Sequence, residues 1–160
     1  MRTLSIEIPV KVYSYDELSE QDRMLVDRAK EMTRHSYAPF SHFAVGAAAL
    51  LEGGIVVTGS NQENAAFPSG LCAERTALFY ANSQYSDTAV LTLAIAARNA
   101  DGQFTACPVS PCGACRQVMA EVQKRSGQPL RVLLYGTDGT YCIDNIDHLL
   151  PLTFTAESMK

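Results

Sequence analysis

The sequence has no run approaching the roughly 18 apolar residues that a membrane-spanning helix needs. Its opening residues, Met1 to Val12, contain no apolar block of the kind that drives export. Even the longest apolar stretches, such as Ala44 to Leu51, are only strand-sized. These absences set the expectation of a soluble cytoplasmic protein with no membrane partner. Basic clusters are also missing: 13 Lys and Arg face 17 Asp and Glu, and no window concentrates positive charge. Polyanion binding depends on phosphate neutralisation by such residues, so a small molecule is the expected partner and nucleic acid is not.

The chain also has no internal repeat, low-complexity tract or dividing linker. Its 160 residues suffice for one hydrophobic core without disulfide staples. A single domain spanning residues 1–160 is expected, with residues 1–15 as an N-terminal extension of no assigned role. Five cysteines are present, Cys72, Cys107, Cys112, Cys115 and Cys142. An odd number without an export signal argues against a disulfide framework and for metal binding or buried packing.

Ser19 and Asp22 form an N-cap with an acidic third residue. Met24, Leu25, Ala29 and Met32 follow at helical spacing, predicting a helix to about His35. Ala44–Glu52 and Ile55–Ser60 flank Gly53-Gly54 and read as a β-hairpin. Pro68 and Gly70 mark a loop before a helix from about Cys72 to Ala81. Val90–Ala97 is the continuous apolar run of a strand covered on both faces. A helix over Cys112–Arg125 ends at Gly127. Strands at Leu130–Tyr135 and near Tyr141–Ile143 follow, and Asp144 opens a last helical turn before Pro151. Strands alternating with helices predict an α/β protein, a three-layer α/β/α sandwich.

Two segments carry chemistry: Cys72-Ala73-Glu74 and Pro111-Cys112-Gly113-Ala114-Cys115. The Cys-x-x-Cys spacing lets two thiolates reach one ion across a helical turn, although a redox dithiol uses the same spacing. Cys72 adds a third thiolate from a separate helix start. Three protein ligands leave one tetrahedral position open, as in a catalytic zinc site. Glu74, two residues on, is placed to exchange protons at that position. Three thiolates and Zn²⁺ sum to −1, so a compensating field is needed. Helix N-termini supply one, and Arg75 and Arg116 are candidates to donate to the ligand sulfurs, against the plainer reading of surface charges. Cys107 and Cys142 read as small buried hydrophobes. His35, His42 and His148 have no ligand-like spacing and read as surface residues.

The sequence resembles the small homotetrameric zinc-dependent cytidine deaminases over roughly Leu25 to Phe154. The resemblance rests on four blocks in family order: Ser36-Tyr37-Ala38-Pro39-Phe40-Ser41-His42-Phe43-Ala44-Val45-Gly46-Ala47-Ala48, Gly59 to Pro68, Cys72-Ala73-Glu74-Arg75-Thr76-Ala77, and Ser110-Pro111-Cys112-Gly113-Ala114-Cys115-Arg116-Gln117. It implies a mixed five-stranded sheet and one zinc ion per subunit on Cys72, Cys112 and Cys115. It also implies Glu74 as the proton carrier in hydrolysis at C4 of cytosine. For the substrate it implies ribose hydroxyls held by Asn61 and Glu63, and Phe43 beside the pyrimidine. The Ala73 N–H and the Ser110 carbonyl would hold the base edge and the leaving ammonia. Phe154 would enter a neighbouring subunit's site, which makes a homotetramer with shared active sites. Two other readings stay open here. One is a structural zinc module with Cys107 or a histidine as fourth ligand. The other is the same chemistry on blasticidin or on a base in polynucleotide.

Overall fold

Successive residues along one strand of the sheet belong to different cores. The computed structural model describes all 160 residues. In chain order they form β1 (Lys11–Tyr13), α1 (Glu20–Met32), β2 (Ala44–Leu51), β3 (Val56–Ser60), α2 (Ala73–Gln84), β4 (Val90–Arg98), α3 (Gly113–Ser126), β5 (Arg131–Gly136) and β6 (Gly139–Ile143). On β2, Ala47, Ala49 and Leu51 join Leu93, Ile95, Val132, Leu134 and Ile143 in one core, which α2 and α3 cover. The alternate residues Ala48 and Leu50 join Ala94, Ala96, Leu133 and Cys142 in a second core, which Leu25, Val26 and Ala29 of α1 cover. The two-residue side-chain period of a strand thus produces the predicted three-layer sandwich. Fully buried side chains such as Leu25 and Leu93 each contribute about 1.5–3 kcal/mol.

The sheet runs β1-β6-β5-β4-β2-β3. It is mixed: β4 and β5 pair in parallel and the other neighbours are antiparallel. It has six strands rather than the expected five. The additional strand comes from the N-terminal extension, to which the sequence assigned no role. β1 pairs antiparallel with β6, Lys11 opposite Cys142 and Tyr13 opposite Thr140, and Tyr13 packs on the α1-side core. Three residues are too few to display a strand period, which is why β1 was not legible.

Elsewhere local chemistry set the boundaries as read. Ser19 caps α1 by accepting from the Asp22 N–H at 3.1 Å. The helix ends at Met32 and tightens into a 3₁₀ turn over Thr33–His35. The Gly53-Gly54 turn has positive φ at both residues. Gly127 ends α3 in the left-handed conformation. The last helical turn is only a short 3₁₀ turn, Ile146–His148, and Asn145 rather than Asp144 caps it by accepting from the Asp147 N–H at 2.9 Å. No helix is long and apolar enough to cross a membrane.

One ion pair locks α1 to the sheet. Arg131 donates to both Asp22 oxygens, at 2.6 and 2.9 Å, and its Nε lies 3.1 Å from the Cys142 sulfur. Burial raises the Asp22 carboxyl, but the Arg131 hydrogen bonds and charge outweigh it and hold the group below its ordinary value of 3.8. The pair's stabilisation is therefore present above that value and is lost as pH falls below it. Asp22→Asn is expected to cost about 1–3 kcal/mol at pH 7, between exposed and fully buried pairs. Denaturant midpoints of the two proteins should converge below about pH 4. A gap that is unchanged at pH 3 contradicts this account of the pair.

Candidate active site

β2 is antiparallel to both β3 and β4, so β3 and β4 run the same way. The helices that return the chain from β3 to β4 and from β4 to β5 therefore both begin at the carboxyl end of these strands, where α/β sheets commonly bind ligands. Gly59 lets α2 sit close: a Cβ there would lie 2.6 Å from the Ala77 nitrogen and 2.7 Å from the Ala73 carbonyl oxygen. Gly136 does the same for the segment leading to α3, since its Cβ would lie 2.7 Å from the Pro108 nitrogen.

Cys72 and Cys112 occupy the N-cap positions of α2 and α3, in extended backbone and without side-chain capping bonds. Cys115 lies one turn into α3 and is fully buried. The three sulfurs lie within 4.8 Å of one another. Cys72 and Cys112 are 3.9 Å apart, and Cys112 and Cys115 are 3.4 Å apart. A tetrahedral zinc with bonds of ~2.3 Å separates its sulfur ligands by about 3.8 Å. The triangle thus fits zinc, and thiolate donors suit that ion. No fourth His, Cys, Asp or Glu joins the group. The Cys115 thiol and the Arg75 guanidinium beside it bring the Cys72 thiol down to about 5, despite burial, favouring the thiolate. Cys115 is pushed up by the neighbouring Cys72 and by burial.

Arg75 donates to the Cys72 sulfur at 3.6 Å, as expected. Arg116 does not reach the sulfurs. Its Nε donates to the Pro111 carbonyl and its Nη1 to the Leu149 carbonyl, both at 2.8 Å. Arg116 follows Cys112 by four positions, a spacing that shares a helix side as the three between Cys72 and Arg75 does. Rotation about the helix therefore does not turn it away; the two carbonyls engage its guanidinium instead. Cys107 is exposed, contrary to the buried packing expected of it, while Cys142 is buried. Cys107 lies outside the sulfur group, and so do the histidines. His35 and His42 are exposed and His148 is half-buried.

A cavity of about 280 Å³ gathers Phe43, Asn61, Cys72, Glu74, Ser110 and Cys112. The Glu74 side chain is buried, and burial, aided by the Cys72 charge, raises its carboxyl above the ordinary value. A second cavity of about 570 Å³ shares Asn61 and Cys72 with the first and adds Glu63 and Arg75. Glu63 accepts from the Phe40 and Ser41 N–H groups at 2.8 and 3.3 Å. Hydrogen bonds from Ser41 and from Phe40 hold its carboxyl below the ordinary value. The Asn61 amide accepts from the Val45 N–H at 2.8 Å and donates to the Phe43 carbonyl at 2.9 Å. One amide hydrogen and one lone pair stay uncommitted. Ala73 is the first helical residue of α2, where a backbone N–H has no intrahelical acceptor.

Phe154 lies outside both cavities and is exposed. Ser41 completes the smaller cavity's wall together with Val45, Ile95 and Val109, three apolar residues not singled out from the sequence. Their apolar character marks a strand or a core equally well, so only Ile95's place near the end of β4 offered a signal. Serine at Cys72, Cys112 or Cys115 is expected to reduce bound zinc from about one ion per chain to well below half, while Cys107→Ala leaves it intact. Metal analysis of the purified variants by mass spectrometry checks this, and zinc loss from Cys107→Ala contradicts it.

Comparison with known proteins agrees with this arrangement. A family model described as the cytidine and deoxycytidylate deaminase zinc-binding region matches residues 19–126. The cytidine deaminase of Halalkalibacterium halodurans is 42% identical over 138 residues, 86% of this chain and 97% of that protein. That of Sporosarcina psychrophila is 40% identical over 136 residues, 85% of this chain and 93% of that protein. The crystal structure of the cytidine deaminase from Burkholderia pseudomallei superposes with a TM-score of 0.70 at 36% identity, covering 86% of this chain and 100% of that one. With its cysteine triangle, its buried glutamate and these relatives, the chain belongs to the zinc-binding cytidine and deoxycytidylate deaminase family.

Proposed function

We propose that this protein hydrolyses cytidine and deoxycytidine to uridine and deoxyuridine with release of ammonia, a step of pyrimidine salvage. The observation that carries the reading is the buried Glu74 carboxyl, which shares one small cavity with two of three zinc-ligating cysteines. Cys72, Cys112 and Cys115 would hold the metal. When bound, zinc supplies Lewis-acid activation of water at neutral pH. Glu74 would carry one proton from the attacking water to the ring nitrogen N3 as the C4–O bond forms. It would then carry the remaining hydroxyl proton to the amine as the C4–N bond breaks, leaving the C4 carbonyl and ammonia. Arg75 and the starts of α2 and α3 offset the excess negative charge of three thiolates.

Of the residues assigned to the substrate, Phe43, Asn61 and Ser110 line the smaller cavity and Glu63 lines the larger. Phe43 packs against the pyrimidine, the free Ala73 N–H holds the base edge, and the Ser110 carbonyl accepts from leaving ammonia. The uncommitted half of the Asn61 amide and the Glu63 carboxylate take the sugar hydroxyls. Phe154, exposed in its own chain, completes the site of a neighbouring subunit in a homotetramer. Residues 1–160 act as one domain, with the N-terminal strand as part of the sheet. The five unpaired cysteines suit a reducing cytoplasmic location.

A structural zinc module needs a fourth protein ligand, and the sulfur group contains none. A polynucleotide substrate needs a basic channel. The larger cavity has one guanidinium, Arg75, which is engaged with Cys72 and shares its walls with Glu63. Glu74→Gln is expected to keep full zinc and lose about 10²- to 10⁴-fold in turnover. Absorbance assays should show turnover of cytidine and deoxycytidine, with CMP and blasticidin poor substrates. Near-normal turnover by the variant, or a strong preference for CMP or blasticidin, contradicts the reading.

A further inference from the structure

After β6 the chain makes its short helical turn and then runs along the start of α3. Two consecutive α3 residues hold it there. Arg116 donates to the Leu149 carbonyl at 2.8 Å, and Gln117 donates through Nε2 to the Phe154 carbonyl at 2.9 Å. Between these anchors the tail turns sharply. Leu152 has φ +57°, a left-handed conformation that a leucine disfavours. The Thr153 hydroxyl donates back to the Leu150 carbonyl inside the turn. Such strain persists only where surrounding contacts over-determine it. The Leu152 side chain is 85% exposed, so its own packing does not fix the turn. Leu149 packs on the core before it, and the two α3 hydrogen bonds hold its ends.

We propose that Arg116 and Gln117 are positioning residues, a two-point clamp that sets the direction in which Phe154 projects toward the active site of a second copy of this chain. This rests on the reading above that Phe154 completes a neighbouring site. Arg116 also holds the Pro111 carbonyl, between Ser110 of the cavity wall and the ligand Cys112. The clamp therefore joins the tail that serves one site to the wall of another. A planar guanidinium suits two carbonyls in fixed directions, and a lysine ammonium does not reproduce that fork. In this assignment neither side chain touches substrate.

The test is a mutant cycle on the full-length enzyme, with KM and kcat for cytidine and zinc content read together. Phe154→Ala is expected to raise KM about tenfold, as for loss of one aromatic contact. Gln117→Leu, close to isosteric but without the donor, is expected to raise KM about three- to tenfold with zinc content unchanged. Arg116→Lys should move KM the same way. In the Gln117→Leu/Phe154→Ala double variant, the glutamine change should add less than about twofold, because both act through one side chain. A wild-type KM for Gln117→Leu or Arg116→Lys, when Phe154→Ala impairs, overturns the clamp alone. So does full multiplication of the effects in the double variant. An unimpaired Phe154→Ala enzyme overturns both the clamp and the reading it rests on.

Discussion

The convergence of two helix beginnings on one point organises this protein. Cys72 and Cys112 are both N-cap residues, and each leaves the first N–H groups of its helix without a side-chain partner. That places two positive dipole ends against three sulfurs, where thiolate charge is otherwise hardest to gather. The sheet makes the convergence possible. Because β3 and β4 run in the same direction, the helices that follow them start at the same end. Gly59 and Gly136 then bring both ligand-bearing segments close to the strands by omitting a side chain where no space exists for one.

From that point the chemistry is a matter of burial. Glu74 follows Cys72 into the first turn of α2, and the turn faces the core rather than water. A carboxyl in such surroundings binds its proton more tightly than an exposed one, which suits the proton-carrying role proposed for Glu74. Asn61 works differently. It spends half of its amide tying the start of β2 to the end of β3, so the residue assigned to the sugar is also one that fixes the cavity wall. One half of this side chain thus serves the fold, and the other half stays uncommitted.

Much of this is legible in the sequence. Ser19, Gly53-Gly54 and Gly127 act through the backbone alone, so their signals survive without tertiary context. Cys72-Ala73-Glu74 and the Cys-x-x-Cys pair declare themselves by spacing, because one helical turn fixes their reach. What was not legible depended on direction or on distant partners. Lys11–Tyr13 becomes a strand only because β6 presents an open edge. Adjacency to Cys115 suggests that Arg116 faces the sulfurs, whereas the distant Leu149 carbonyl and the Pro111 carbonyl engage its guanidinium. Cys107 is exposed, and nothing in a lone cysteine distinguishes that from burial.

The proposed chemistry depends most on a metal held by three sulfurs with its remaining position left to a light atom. Zinc K-edge X-ray absorption on the purified protein measures this directly. Three sulfur neighbours near ~2.3 Å and one oxygen or nitrogen neighbour near ~2.0 Å are the result it requires. A shell of four sulfurs, or of two with two imidazoles, would contradict it.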